Sequence, residues 1–464
     1  MKDFNKEIKS WIFYDFGNSA YATTVIAAFF PLFYASYWSN GLESLQATQY
    51  LAFALTIINL VILVSAPIIG AITDYKKLTK ILFIIFTLLS IVSVASFYFI
   101  PMGKWLMALI LYGISFFSFA SAVVLYDKML VYVASEDQLT KVSSYGYALG
   151  YLGGGLLFAL NAFMVLQPET FGLSNEAEAV RWAFITVSVW WFIFLLPLAI
   201  NYKEREVEKT GNLKEVLGGF VSTFRDIQKN KNVLLFLFAF FLYIDGVHTI
   251  MSLAAIFAEN IGIDQSAIIV ALILVQFVAF PSTLFWSYIG NKYDDKVVLY
   301  ATIFIYICVV IYSTALSNSS EFYVMAVLIG SVQGGIQAAS RSFFSKIIPT
   351  NKSGEFFGFY NTFGRAGSVM GPALVGMFIG IFNNLQIALA VSYTHLRAHE
   401  TCADLVCRLL LEKNMQELNV QMQSISNTLL RVAGAIDVLE QIEESKSVEE
   451  IVDEVVEEDE TEEE

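Results

Sequence analysis

The chain has 464 residues, 56% of them hydrophobic and only 15% charged, a balance that excludes an ordinary soluble protein. Lys+Arg number 28 against Asp+Glu 42, for a net charge of −14. The excess is local: residues 1–391 carry 23 acidic and 23 basic side chains, and the whole −14 falls after Val391. A nucleic-acid partner is unsupported on either side of that cut. Three cysteines, Cys308, Cys402 and Cys407, are too few for a disulfide framework.

A helix crossing a hydrocarbon core of about 30 Å needs roughly 20 apolar residues at about 1.5 Å each. Such runs occur at 11–37, 48–72, 81–101, 105–126, 144–166, 182–201, 233–258, 266–290, 298–316, 322–343 and 355–382, eleven in all. A twelfth begins at Asn384 and fails at His395, Arg397, His399 and Glu400. The first run is too long for a cleaved leader and contains Asp15, so it is expected to remain as a span. If the N-terminus is inside, the inside segments hold 20 of the 23 basic residues before the cut, which predicts a cytoplasmic N-terminus. An integral, multi-pass protein of a bacterial cell membrane is expected.

Residues 202–232 form the longest inside connection and separate an N-terminal bundle of six spans, 1–201, from a C-terminal bundle, 233–391, with five complete spans and the start of a sixth. A shift of 217 residues carries Asp74 onto Asn291, Gly150 onto Gly367 and Gly154 onto Gly371. Two six-helix halves in parallel repeat form an all-α architecture common among secondary transporters.

The stretches YDFGNSAYATTVIAAFFP (14–31), SSYGYALGYLGGGL (143–156) and GSVQGGIQAASRS (330–342), with GAITDYKK (70–77), resemble the major facilitator superfamily. Within it the chain resembles the vacuole effluxer-like family, which includes the yeast autophagy-related vacuolar amino-acid effluxer. The resemblance covers 8–391 and implies the twelve-helix major facilitator fold, alternating access and, for the yeast member, amino-acid export. It also implies that Gly70, Asp74 and Lys76 act as a gating latch on the cytoplasmic side, with Asp74 meeting basic or helix N-terminal partners in the other half. GSVMGPALVG (367–376) is similar to the superfamily's antiporter motif, displaced here from span 5 to span 11.

Ionisable side chains inside hydrocarbon are costly and usually mark a solute or proton path. Arg365 lies near the middle of span 11, with Asn361 on its face, and suits a carboxylate or phosphate clamp or an internal pair with Asp245. Asp245 and His248 lie near the middle of span 7 and, with Asp15, are candidates for proton coupling. Gln333 and Gln337 present amides on one face of span 10 as substrate contacts. Asp15 and Asn18 in span 1 suit a gate or a binding role. Arg341 ends span 10, where snorkelling to the interface explains it as well as gating does. Tyr126, Asp127 and Lys128 close span 4, either as a functional group or as an interfacial aromatic beside an ordinary ion pair. Gly150, Gly154, Gly367 and Gly371 are expected to permit close helix packing.

Residues 392–413 resemble translated sequencing-adapter read-through, a foreign junction where span 12 is truncated. A metal site at His395, His399, Cys402 and Cys407 fits no common zinc spacing. A short heptad helix follows at 414–444, then a disordered acidic tail at 445–464.

The resulting expectation is a secondary active transporter of a small polar solute, with amino-acid efflux the reading implied by the resemblance. It needs no cofactor beyond coupled protons, binds the lipid bilayer and no nucleic acid, and works as a monomer. The alternatives are a lipid or lysolipid flippase of the same fold, and a transporter-like receptor. An enzyme is not expected, because the spans hold one histidine and no HExxH motif.

Overall fold

Each apolar run forms a long helix because, in hydrocarbon, a backbone must satisfy its own hydrogen bonds. The computed structural model describes residues 4–205, 222–260, 262–313, 316 and 318–382. No strand occurs among them. The helices are α1 (Lys6–Trp38), α2 (Ser44–Tyr75), α3 (Thr79–Ser96), α4 (Trp105–Val133), α5 (Leu139–Leu166) and α6 (Glu176–Asn201). After the long connection come α7 (Lys231–Asn260), α8 (Gln265–Lys292), α9 (Asp295–Ser313), α10 (Ser319–Ile347) and α11 (Ser353–Phe382).

These match the eleven apolar runs in order. Eight are long and apolar enough on their own to cross a membrane, and a ninth is added if Ser222–Lys229 and Lys231–Ile244, bent by 95°, count as one. The start of a twelfth span, the 392–413 junction with its metal-ligand types, the heptad helix, the acidic tail and linker residues 206–221 lie outside the described residues.

The packing repeats on a shift of six helices. α1 lies on α5 as α7 lies on α11, and α2 and α3 pack on α4 as α8 and α9 pack on α10. Across the seam α2 meets α11 while α8 meets α5, and α4 meets α11 while α5 meets α10. This is the two-bundle parallel repeat of the major facilitator fold.

Local chemistry explains several of these contacts. Pro67 inside α2 has no N–H to offer the Leu63 carbonyl one turn back. Thr362 of α11 donates its hydroxyl to that oxygen instead, at 3.1 Å, so a defect in one helix becomes a docking point for its neighbour. The glycine face of α5 lies on α1: a Cβ on Gly150 would sit 2.5 Å from the Ser19 hydroxyl, and one on Gly154 would sit 3.0 Å from Thr23 Oγ1. In α1 the pattern loosens to π-helical turns over Tyr21–Phe29 and Tyr34–Trp38. Such turns re-aim side chains and are frequent at functional sites. The bundle's outside is apolar, with Ile57, Val64, Ile110 and Ile200 exposed where lipid tails would cover them.

Candidate functional site

The end of the bundle that carries the N-terminus and the linker, called here the linker face, holds three buried polar clusters along the seam. The first begins with two consecutive residues of α4. Neighbours on a helix point about 100° apart, so Asp127 and Lys128 serve different partners. Lys128 pairs with Asp74 of α2 at 2.9 Å and donates to the Thr73 carbonyl at 2.8 Å. Asp74 also accepts the Gly354 and Glu355 N–H groups at 3.0 and 2.7 Å. Those amides open α11 and have no partner inside their helix, so a carboxylate from the other half caps a helix N-terminus. Gly70 makes the approach possible, because a Cβ there would run into the Gly354 carbonyl. Lys76, named with Gly70 and Asp74 in the latch, is exposed. The Glu355 side chain accepts from Thr223, in the described part of the linker.

The second cluster is built around Arg341 of α10, which is 2% exposed. Snorkelling therefore does not describe it. Its guanidinium donates to the Ser143 hydroxyl and carbonyl at 3.0 Å each and to Asp127 at 3.3 Å. It also lies 3.6 Å from Asp15, beyond hydrogen-bond length. The rings of Tyr147, Trp11 and Tyr126 stand 4.2, 4.8 and 5.5 Å from it. Trp11 and Tyr126 stack at 4.2 Å and exchange hydrogen bonds with each other's carbonyls. Asn361 of α11 donates to the second oxygen of Asp127 at 3.2 Å. A buried cation thus joins α10 to α1, α4 and α5, and two carboxylates share it. Asn18, one turn from Asp15, is buried beside that carboxylate.

The third cluster gathers Asp295 of α9 with Lys346 and Ser342 of α10, each at 2.8 Å. Thr140 of α5 completes it from across the seam, 3.2 Å from Asp295 and 3.0 Å from Ser342. Gly290 sits beside Thr140 and Asp295 as Gly70 sits beside Gly354, an echo of the first cluster by the sixfold helix shift.

Deeper in the bundle stands Arg365, twelve residues into α11 and so roughly 18 Å from its start at about 1.5 Å per residue. It is half-buried, and its guanidinium lies 5.3 Å from the Phe116 ring. Tyr21, Asp127, Tyr112 and His248 are among the groups that feel its charge. No ion pair or hydrogen bond joins Arg365 to any of the described residues. The Tyr21 hydroxyl, at the first π-helical turn of α1, accepts from Ser115 at 2.8 Å. His248 bonds to the backbone of Gly364, the residue before Arg365. Tyr151 of α5 donates to Gln337 at 2.6 Å across the seam, and its hydroxyl also lies against Gln333. The side chains of Asp245, Gly367 and Gly371 lie outside the described residues. No group of three metal-ligating side chains occurs among the described residues.

The structure therefore gathers Asp15, Arg341 and Asn361 into one cluster and commits Gln337 and His248 to other helices. It leaves Arg365 apart. Asp127 and Lys128, read from the sequence as either a functional group or an ordinary ion pair, join the site, as do Ser143 and Tyr147, which were not singled out for it. Only the ionisable pair on α4 gave a signal, and sequence spacing cannot show which residues lie across the seam.

A family model described as vacuole effluxer Atg22 like matches residues 132–394. The uncharacterised MFS-type transporter YxiO of Bacillus subtilis (strain 168) is 36% identical over 81% of this chain and 89% of its own length. Autophagy-related protein 22-1 of Penicillium rubens is 26% identical over 54% of this chain, and the chain spans only 46% of that protein. Among solved structures, the proton:xylose symporter XylE has a TM-score of 0.64 at 11% identity, covering 88% of this chain and 94% of that one. The human organic anion transporter MFSD10 has a TM-score of 0.61 at 11% identity. The chain belongs to the vacuole effluxer Atg22-like family of major facilitator transporters: it is a multi-pass membrane transporter and not an enzyme.

Proposed function

We propose that this transporter moves a small polar solute bearing an anionic group, with an amino acid as the leading class, by alternating access around Arg365. One observation carries the reading. Arg365 is a guanidinium at mid-depth, half-buried and without a hydrogen-bonded or ionic partner among the described residues. A planar cation in that setting offers two parallel N–H donors to a carboxylate, and the low dielectric strengthens the pair. The Phe116 ring and the Tyr21 and Tyr112 side chains would flank a bound solute and favour one that is part apolar. The sealed linker face fits a state in which solute reaches the site from the opposite side.

We take the linker face as cytoplasmic, because 20 of the 23 basic residues before Val391 fall in segments at that end. A bacterial cell membrane suits the kinship with the Bacillus protein, and a monomer with one central site is sufficient.

The test is a thermal-shift screen of amino acids, peptides and sugars on the purified protein, repeated with Arg365→Ala. A carboxylate-bearing ligand should stabilise the wild type and lose its effect in the variant. A stabilising ligand indifferent to Arg365→Ala would overturn the clamp.

A further inference from the structure

The three seam clusters differ in what happens to charge when the two halves part. Asp74 and Lys128 lie on α2 and α4, in the same half, so their 2.9 Å pair travels together. Asp295 and Lys346 lie on α9 and α10 and likewise stay together, at 2.8 Å. Arg341 is different. It belongs to α10, whereas both carboxylates it serves belong to α1 and α4. Opening the linker face takes the cation away and leaves Asp15 and Asp127 side by side without it.

The surroundings offer little replacement. Tyr126 from α4, Tyr147 and Tyr151 from α5, and Tyr360 from α11 face this carboxylate pair, and all remain neutral near physiological pH. Lys128 is held by Asp74. Arg365, the other cation whose charge reaches Asp127, lies on α11 and leaves with the opposite half. Asn361, the amide donor to Asp127, leaves as well.

We infer that Asp15 and Asp127 form a proton-binding pair whose charge Arg341 partly offsets when the linker face is sealed and which takes up a proton when it opens. Trp11, Tyr126 and Tyr147, whose rings pack around this site, belong to the same half as the two carboxylates and keep them screened from water as α10 withdraws. Loss of the shared cation therefore governs the pair, which then holds a proton more tightly. The open form therefore binds more protons than the sealed form. Falling pH favours opening, and rising pH favours closure. One linked proton changes the open-to-sealed ratio by about tenfold per pH unit within the titration window. The inference rests on the two halves parting at this face, and not on the identity of the solute.

The test uses spin labels at Lys76→Cys and Lys296→Cys, exposed positions on opposite halves, with Cys308, Cys402 and Cys407 changed to serine in the full chain. Asp74→Asn is included as background, because Asp74 is another carboxylate that loses donors when the seam opens. Distances are measured by pulsed electron paramagnetic resonance in lipid nanodiscs between pH 8 and pH 5. The long-distance population should rise steeply as pH falls. Adding Asp15→Asn and Asp127→Asn should abolish that pH response and leave a raised long-distance population throughout. The pH series on the protein without those two changes stands on its own if they prevent folding. A long-distance population that ignores pH, or a response that survives loss of both carboxylates, would overturn the inference. A single short distance under every condition would overturn it together with the alternating-access reading, which separates the two failures.

Discussion

Asp74→Asn separates the contacts that hold the seam from those that hold a single half. In the sealed form Asp74 accepts two backbone N–H groups of α11 at 3.0 and 2.7 Å and pairs with Lys128 at 2.9 Å. The ion pair lies within one half, so its loss weakens sealed and open forms alike and appears as a lower melting temperature. The backbone contacts exist only when the seam is shut. Hydrogen bonds to a charged acceptor contribute about 1.5–3 kcal/mol each, and an amide oxygen retains roughly one ordinary bond of about 1 kcal/mol. The differential loss is about 2–5 kcal/mol, which raises the open population by between roughly 30-fold and several thousand-fold. A cysteine at Ala338, buried against Ser143 at the seam, reports this directly. In a background lacking the three native cysteines, its maleimide labelling rate should rise by that factor. A rise of less than about threefold would refute the assignment of Asp74 as a seam contact.

Gly70→Ala should act on the same equilibrium by sterics, because the added methyl meets the Gly354 carbonyl. Labelling at Ala338→Cys should rise at least as far as for Asp74→Asn, with little change in melting temperature. Arg341→Met leaves two buried carboxylates without their cation and should destabilise the sealed form by about 3–5 kcal/mol, read as a loss of thermal stability at pH 7.5. Arg341→Lys should rescue little of it, since an ammonium cannot span Ser143 and two carboxylates. Thr362→Val strands the Leu63 carbonyl that Pro67 leaves open and should cost about 1–3 kcal/mol in thermal unfolding.

The helices were legible because hydrocarbon imposes length and apolarity on each span, and because the positive side chains cluster on one side. The repeat was legible from Asp74, Gly150 and Gly154, residues at which close packing restricts what can stand. The site was legible only in part. Asp15, Arg341 and Asn361 could be singled out as buried polar side chains, but Asp127 and Arg341 are 214 residues apart in sequence and meet only through the seam. The same holds for Lys128, whose adjacent Asp127 looked like its partner until the helix turned the two toward different neighbours. Arg341 sits at a helix end by sequence position, yet α1, α4 and α5 close over it. Burial of that kind depends on tertiary packing, which hydropathy does not encode.

The account's central claim is that solute crosses by binding at Arg365 while the two halves alternate. Counterflow in proteoliposomes tests it most directly. Vesicles preloaded with an unlabelled amino acid should transiently accumulate the radiolabelled form in the presence of the wild-type protein, and Arg365→Ala should abolish that accumulation. Undiminished accumulation with Arg365→Ala, or none with any ligand that stabilises the wild type, would contradict the account.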